Sequence, residues 1–287
     1  MDQIFEDESK KRAKEVKFLD LEEIIKKKNP RLLKLLPGFL IRYFKRVIHQ
    51  DDLNGILQRH GHLNGIEFVN ASLSDMGITY TVYGLENINP DGRYIFVSNH
   101  PLGGLDGLVF MSELRKHYSN IRFVVNDLLM NVKQLRELFI PVNKHGGQTT
   151  SYAKAIEDTY ASEAQVLYFP AGLCSRKIKG NIVDLEWKKN FVGKAVKHHR
   201  DIVPVFFSGR NSNFFYNLAN FRKRLGIKAN IEMLYLVDEM FKQRGKKISL
   251  VIGKPVPYQT FSSEKSAQEW TTWIREKAYD LANTQPK

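Results

Sequence analysis

The sequence holds a single cysteine, Cys174, among 287 residues. An intramolecular disulfide is therefore excluded, as is a cysteine-based metal cage. Long apolar runs are missing too. No stretch of about 18 consecutive apolar residues occurs, so a membrane-spanning helix is not expected. Met1–Lys10 is acidic and polar, which does not suit a secretory signal. Neither a zinc-finger spacing nor an RNP-type aromatic motif occurs, so nucleic acid is not the expected partner. Acids are in short supply: 31 Asp and Glu stand against 44 Lys and Arg, a formal net charge of +13. Such an excess points to an anionic partner, with anionic lipid and phosphorylated substrates as the remaining classes.

What is present is an ordinary globular composition, 43% hydrophobic and 26% charged. It suffices for one large α/β domain with a helical extension. Residues 1–30 are highly charged and read as a loose or helical arm. Residues 31–48, RLLKLLPGFLIRYFKRVI, carry large apolar side chains and five cations without one acid. Pro37-Gly38 predicts a break into two short helices. A basic amphipathic segment of this kind lies in a membrane interface, its apolar face among acyl chains and its cations among head groups. A helix packed on the domain core is the alternative. From Ile78 onward, strand-like runs (Ile78–Tyr83, Tyr94–Ser98, Ile121–Val125, Gln165–Phe169, Ile202–Phe207, Ile248–Ile252) alternate with helical patterns. Those helical patterns lie near Leu108–His117, Tyr152–Ala161, Lys188–His199 and Ser263–Asn283. This alternation predicts an α/β fold with a mainly parallel central sheet flanked by helices. The expected organisation is a charged arm and membrane-binding helical region over 1–76 and a catalytic domain over 77–287.

The chemistry centres on Ser98-Asn99-His100-Pro101-Leu102-Gly103-Gly104-Leu105-Asp106-Gly107, directly after a buried strand. Loops at strand carboxyl ends carry the chemistry of open α/β sheets. Histidine suits general-base work near neutral pH. A nearby aspartate fixes the imidazole tautomer and stabilises the imidazolium. No serine or cysteine nucleophile is needed if an acceptor hydroxyl attacks a thioester and His100 removes its proton. Read alone, the loop is better explained as a capping turn, with Asn99 and Asp106 bonding backbone amides and His100 incidental. Three further blocks weigh against that reading. Phe139-Ile140-Pro141-Val142-Asn143-Lys144 ends in a cation, with His145-Gly146-Gly147 following. Phe169-Pro170-Ala171-Gly172-Leu173-Cys174-Ser175-Arg176 offers a shaped turn, a hydroxyl and a guanidinium. The apolar run Ile202-Val203-Pro204-Val205 precedes Ser208-Gly209-Arg210.

In this order the four blocks resemble the lysophospholipid/glycerol acyltransferase superfamily, which includes lysophosphatidate acyltransferases. The likeness covers roughly residues 77–255. The block around His100 resembles the family's NH-x4-D motif, which gives His100 and Asp106 the catalytic roles. FIPVNK resembles the block whose arginine helps hold the acceptor, with Lys144 in that place. FPAGLCSR is similar to FPEGTRS, and Ile202–Val205 to the fourth block. The resemblance implies a substrate-binding surface made of Asn99, Gly103, Gly104, Lys144, Pro170, Gly172, Ser175 and Arg176. It implies no bound cofactor or metal, a donor that is an acyl-carrier protein or coenzyme A thioester, and a lysolipid acceptor. It places the protein peripherally on an anionic membrane surface, at the cytoplasmic face.

The departures are specific. Five residues separate His100 from Asp106 instead of four, with the Gly103-Gly104 pair expected to absorb the extra one. Ala171 replaces the usual glutamate, and the lysine usual near Asn126 is missing. The combination is more similar to the hemolysin-like and ornithine-lipid-type branch, whose acceptors are lyso-aminolipids. A non-catalytic lipid-binding protein of the same fold, and an acyl-thioester hydrolase using the same pair, remain alternatives. Cys174 reads as a small buried filler, and His60 and His62 as structural, lacking a third ligand.

Overall fold

The computed structural model describes residues 19–142 and 150–284. The charged arm through Lys17, and Asn143–Gly147 with Lys144 among them, lie outside the described residues. The chain divides between Leu63 and Asn64 into two compact units.

The first unit is helical. Helix α1 (Leu21–Lys28) opens on Asp20, whose carboxylate accepts the N–H groups of Glu22 and Glu23 at 3.0 and 3.3 Å. This N-cap satisfies donors that the first turn leaves free, and the acids beside it suit the helix dipole. Helix α2 (Pro30–Leu35) starts on proline, whose missing N–H costs nothing there. Helix α3 (Gly38–Val47) begins immediately after Pro37, so the stretch breaks where Pro37-Gly38 predicts. Helix α4 (Gln50–His60) completes the unit. Leu35, Phe39 and Tyr43 hold apolar side chains at the surface, 79%, 66% and 42% exposed. Lys45 pairs with Glu22 at 2.5 Å, so one cation of the stretch has a partner.

The second unit begins with α5 (Gly65–Asp75) and is built on a sheet. Its strands are β1 (Tyr80–Tyr83), β2 (Tyr94–Ser98), β3 (Ile121–Asn126), β4 (Phe139–Val142), β5 (Gln165–Tyr168), β8 (Asp201–Phe207) and β9 (Ile248–Ile252). They lie in the order β1-β9-β8-β2-β5-β3-β4. All neighbours pair in parallel except β8 and β9, which are antiparallel. The strands β8, β2, β5, β3 and β4 therefore end at one common edge. The fold is α/β with a mostly parallel central sheet, as the strand–helix alternation predicts. Two short strands, β6 (Arg176–Ile178) and β7 (Asn181–Val183), make a separate antiparallel hairpin. The helices are α6 (Gly104–His117), α7 (Thr150–Ala161), α8 (Asn190–His198), α9 (Asn213–Arg224), α10 (Leu236–Phe241) and α11 (Ala267–Asp280).

Strand β2 is buried at all five positions, which is why YIFVS is apolar without alternation. Ile95 and Val97 face a core that includes Trp187, Phe191 of α8 and Ile274 of α11. Phe96 meets Phe110 of α6, in a set of aromatic contacts that also takes in Phe123, Phe169 and Phe207. Each such side chain contributes about 1.5–3 kcal/mol by leaving water. Strand β8 runs through Pro204, whose carbonyl accepts the Gly253 N–H at 2.9 Å.

Candidate active site

At the carboxyl end of β2 the chain is clamped to its neighbour. The Asn99 amide donates to the Phe207 carbonyl at 2.9 Å, and its oxygen accepts the Phe207 N–H at 2.7 Å. Asn99 is buried, and both ends of its amide are spent on β8. Asn99, expected on the substrate-binding surface, is placed with both ends of its amide on the Phe207 backbone. Its place is structural, because an amide pairs with a strand end as another strand would.

Beyond His100 the chain turns at Gly103, whose φ of 75° is open to glycine without strain. Helix α6 starts at Gly104, so Asp106 falls in its first turn. The helix can lie this close to the sheet because of Gly107: a Cβ there would sit 2.7 Å from a ring carbon of Phe123. The result brings the pair together despite the longer spacing. His100 Nδ1 and Asp106 Oδ2 are 3.0 Å apart. The same carboxylate oxygen accepts the Leu102 N–H at 2.8 Å, which fixes the loop around the pair.

The two partners differ in environment. The His100 side chain is 16% exposed and Asp106 fully buried. Burial pushes the Asp106 carboxyl above its ordinary range, while the bond to His100 pulls the other way. Its second oxygen, Oδ1, is buried without a partner among the described residues. With Nδ1 held by the carboxylate, the proton sits on Nδ1 and Nε2 carries the free lone pair. The imidazole lies flat on Phe169, with ring centroids 4.1 Å apart and planes 19° from parallel. Such an arrangement can take a proton from a hydroxyl at the sheet edge and stabilise the charge it acquires.

The third block supports this loop from below. The Ser175 N–H donates to the His100 carbonyl at 2.8 Å. Ser175 is buried, and its hydroxyl donates to Asp184. Arg176 is 2% exposed; its guanidinium donates to the Cys174 carbonyl and pairs with Glu232 at 3.0 Å. Glu232 also receives Arg222 and is fully buried. Burial pushes the Glu232 carboxyl up, but the bond from Arg222 and the two guanidinium charges hold it below the ordinary range. Ser175 and Arg176, expected on the substrate-binding surface, are placed in the protein interior with their polar groups bonded to Asp184 and Glu232. Both are spent inside the protein, since a guanidinium buried to this degree needs a carboxylate of its own. Cys174 is buried, and burial raises its thiol pKa.

Of the remaining site residues, Gly103 and Gly104 form the turn into α6. Pro170 is buried, and its carbonyl accepts the Lys188 N–H at 3.1 Å. Gly172 is exposed, and a Cβ there would lie 3.6 Å from Lys188 Nζ. Lys188 and Arg210, in the loop after β8, are exposed cations beside these blocks.

One residue carries no mark of its role in the sequence. Asp184 is 3% exposed, and its Oδ1 accepts the His100 backbone N–H at 3.2 Å as well as the Ser175 hydroxyl. Its Oδ2 accepts the Trp187 indole N–H at 2.9 Å, and its own N–H donates to the Tyr279 hydroxyl at 2.8 Å. The β6–β7 turn delivers it there: Lys179 and Gly180 both have positive φ, the conformation of a two-residue hairpin. The Lys179-Gly180-Asn181 run was the available signal. Asp184→Ala strands three buried donors, each costing about 1–3 kcal/mol when unpaired. Urea unfolding should show a loss of at least about 2 kcal/mol, with Asp184→Asn, which keeps the Oδ1 bonds, in between. An unmoved midpoint in the alanine variant would deny Asp184 this role.

A profile of the family described as Acyltransferase matches residues 23–286. The chain is 48% identical over 265 residues to a lyso-glycine lipid O-acyltransferase of Phocaeicola vulgatus, covering 92% of this chain and 95% of that protein. It is 45% identical over 265 residues to a lyso-glycine lipid O-acyltransferase of Bacteroides thetaiotaomicron, covering 92% and 97%. A crystal structure of the 1-acyl-sn-glycerophosphate acyltransferase PlsC from Thermotoga maritima aligns with a TM-score of 0.46 at 18% identity, over 85% of this chain and 95% of that one. A match across this much of the chain, with relatives this similar in sequence, makes the protein a member of the acyltransferase family.

Proposed function

We propose that this enzyme transfers a fatty acyl group from an acyl thioester to the hydroxyl of a lysolipid, with a lyso-aminolipid of the glycine type as the leading acceptor and lysophosphatidate as the second. The two relatives named for a lyso-glycine lipid support the acceptor class. The observation that carries the mechanism is the His100–Asp106 pair, with the imidazole partly open and the carboxylate buried. His100 Nε2 takes the hydroxyl proton as the acceptor oxygen attacks the thioester carbonyl carbon. The C–O bond forms, the C–S bond breaks as the tetrahedral intermediate collapses, and the imidazolium returns the proton to the leaving thiolate. Asp106 holds the tautomer and offsets the imidazolium charge. An acyl-carrier protein or coenzyme A suits a chain of net charge +13, since both donors are anionic. The exposed Lys188 and Arg210 are the cations proposed for the acceptor's anionic head group.

Purified protein incubated with acyl thioester, with and without lyso-glycine lipid, tests the reading. Acyl transfer to the lipid is the expected product. Release of free fatty acid alone would make the protein a hydrolase, and no reaction with either donor would make it a lipid-binding protein.

Segment 31–48 is proposed to dock the enzyme peripherally on anionic membrane at the cytoplasmic face. A long-chain lysolipid gathers in bilayers, and Leu35, Phe39 and Tyr43 hold exposed apolar side chains among cations. Each cation near an anionic surface contributes on the order of 1 kcal/mol, screened by salt, whereas apolar insertion is salt-insensitive. Vesicle binding should therefore weaken with salt without vanishing. Changing Leu35, Phe39 and Tyr43 together to Ser should weaken it even at low salt. A folded triple variant that binds as tightly as the parent removes this segment from the membrane contact.

A further inference from the structure

The catalytic unit has an exposed apolar surface of its own. Helix α9 buries one face through Phe215, Tyr216, Ala219 and Arg222. A second stripe, Phe214, Leu218, Phe221 and Leu225, follows the i, i+4, i+7, i+11 spacing of a single helix face. Phe221 and Leu225 are 59% and 58% exposed, and Phe214 is 49% exposed. One apolar face is enough to anchor a helix; of the second, Phe214 meets Tyr235 edge-on, while Phe221 and Leu225 stay largely open. The helix then ends in a glycine turn. Gly226 has a φ of 71°, and the Ile227 N–H reaches back to the Arg222 carbonyl at 2.9 Å. This C-cap holds Leu225 and Ile227 at the surface at the end of the same helix.

The exposed charges on the helix and its C-terminal turn are of one sign. Between Asp201 and Asp238 the sequence holds one acid, Glu232. That acid is fully buried and consumed by Arg176 and Arg222. Lys223, Arg224 and Lys228 are exposed. An excess of cations attracts an anionic partner, protein or membrane. Large apolar side chains amid cations alone fit a bilayer with anionic head groups.

The buried face of α9 is linked to the reaction centre through Arg222 and Glu232. Leu236, just beyond Glu232, packs so closely on the His100 loop that a Cβ at Gly103 would lie 3.0 Å from it. Glu232 in turn holds the third block through Arg176. We infer that α9 and its C-terminal turn form a second membrane contact, on the catalytic unit itself, which seats Phe221, Leu225 and Ile227 among acyl chains. The inference does not depend on which acceptor or donor the enzyme uses.

The test uses full-length protein and sedimentation with vesicles of equal parts phosphatidylglycerol and phosphatidylcholine, without donor or acceptor. Because segment 31–48 is proposed to bind as well, the variants are made in both the parent and the Leu35→Ser, Phe39→Ser, Tyr43→Ser background. Phe221→Ser, Leu225→Ser and Ile227→Ser together should cut vesicle partitioning at least about tenfold in each. Lys223→Gln, Arg224→Gln and Lys228→Gln together should do so at low salt, and should have little effect on vesicles of phosphatidylcholine alone. All six positions are exposed, and unchanged melting temperatures will show that the variants fold. Unaltered partitioning in both backgrounds overturns the inference, as does a parent that ignores vesicles altogether. So does a parent that sediments as a dimer and is made monomeric by the serine changes without loss of vesicle binding, for then a second copy covers the stripe.

Discussion

His100→Ala should lower kcat for acyl transfer about 10²–10⁴-fold while the protein stays folded. The ring is 16% exposed and stacked on Phe169, so the melting temperature is measured alongside to show that the variant folds. Removal of the ring leaves Asp106 buried without its imidazole. That carboxyl is already raised by burial, and without the histidine it is free to take up a proton and avoid carrying an unpaired charge. His100→Gln is the sharper control, because its amide can still bond Asp106 yet removes no proton. Single-turnover transfer from acyl thioester to lyso-glycine lipid separates chemistry from membrane docking. A folded His100→Gln enzyme with parental turnover would falsify the general-base assignment.

Asp106→Asn should separate activity from stability. The asparagine oxygen can still accept the Leu102 N–H and the imidazole N–H, so the loop geometry survives. What disappears is the negative charge that balances the imidazolium, and kcat should fall about 10²–10⁴-fold. Stability should move the other way. A buried carboxyl with a raised pKa stabilises the fold fully below its unfolded value, about 3.9, and loses that contribution as pH rises through its folded value. The parent therefore carries a growing cost for this buried, partly unpaired carboxyl as pH rises above its unfolded value, and the amide does not. The difference in unfolding free energy between the Asp106→Asn variant and the parent should shift in favour of the variant as pH rises from about 4 toward neutrality. Equal activity in the variant, or a stability difference that moves oppositely with pH, contradicts this account.

Much of the architecture was legible because local signals agreed with tertiary context. YIFVS and ISLVI are short apolar runs bounded by turns, and both are buried strands. The convergence of the blocks followed from strand order, which is why widely spaced segments meet at one edge. Three features were hidden for physical reasons. The stretch NFFYNLANFRKR mixes aromatics with asparagines, and its two apolar faces blur the single stripe by which a helix announces itself. Arg176 reads as a ligand-binding cation until Glu232, distant in sequence, is seen to neutralise it. Asp184 reads as one more surface acid: the Lys179-Gly180-Asn181 run signals a hairpin, but nothing local shows that the hairpin carries Asp184 under the His100 backbone.

The buried thiol of Cys174 has a practical consequence for kinetics. A thiolate, not a thiol, attacks disulfide reagents, and Cys174 is both 1% exposed and shifted toward the protonated form. An aromatic disulfide dye added to the reaction should therefore leave the folded enzyme uncoloured. With a coenzyme A thioester as donor, every equivalent of colour then counts a released donor sulfhydryl, and turnover can be followed continuously without a background correction for the catalyst.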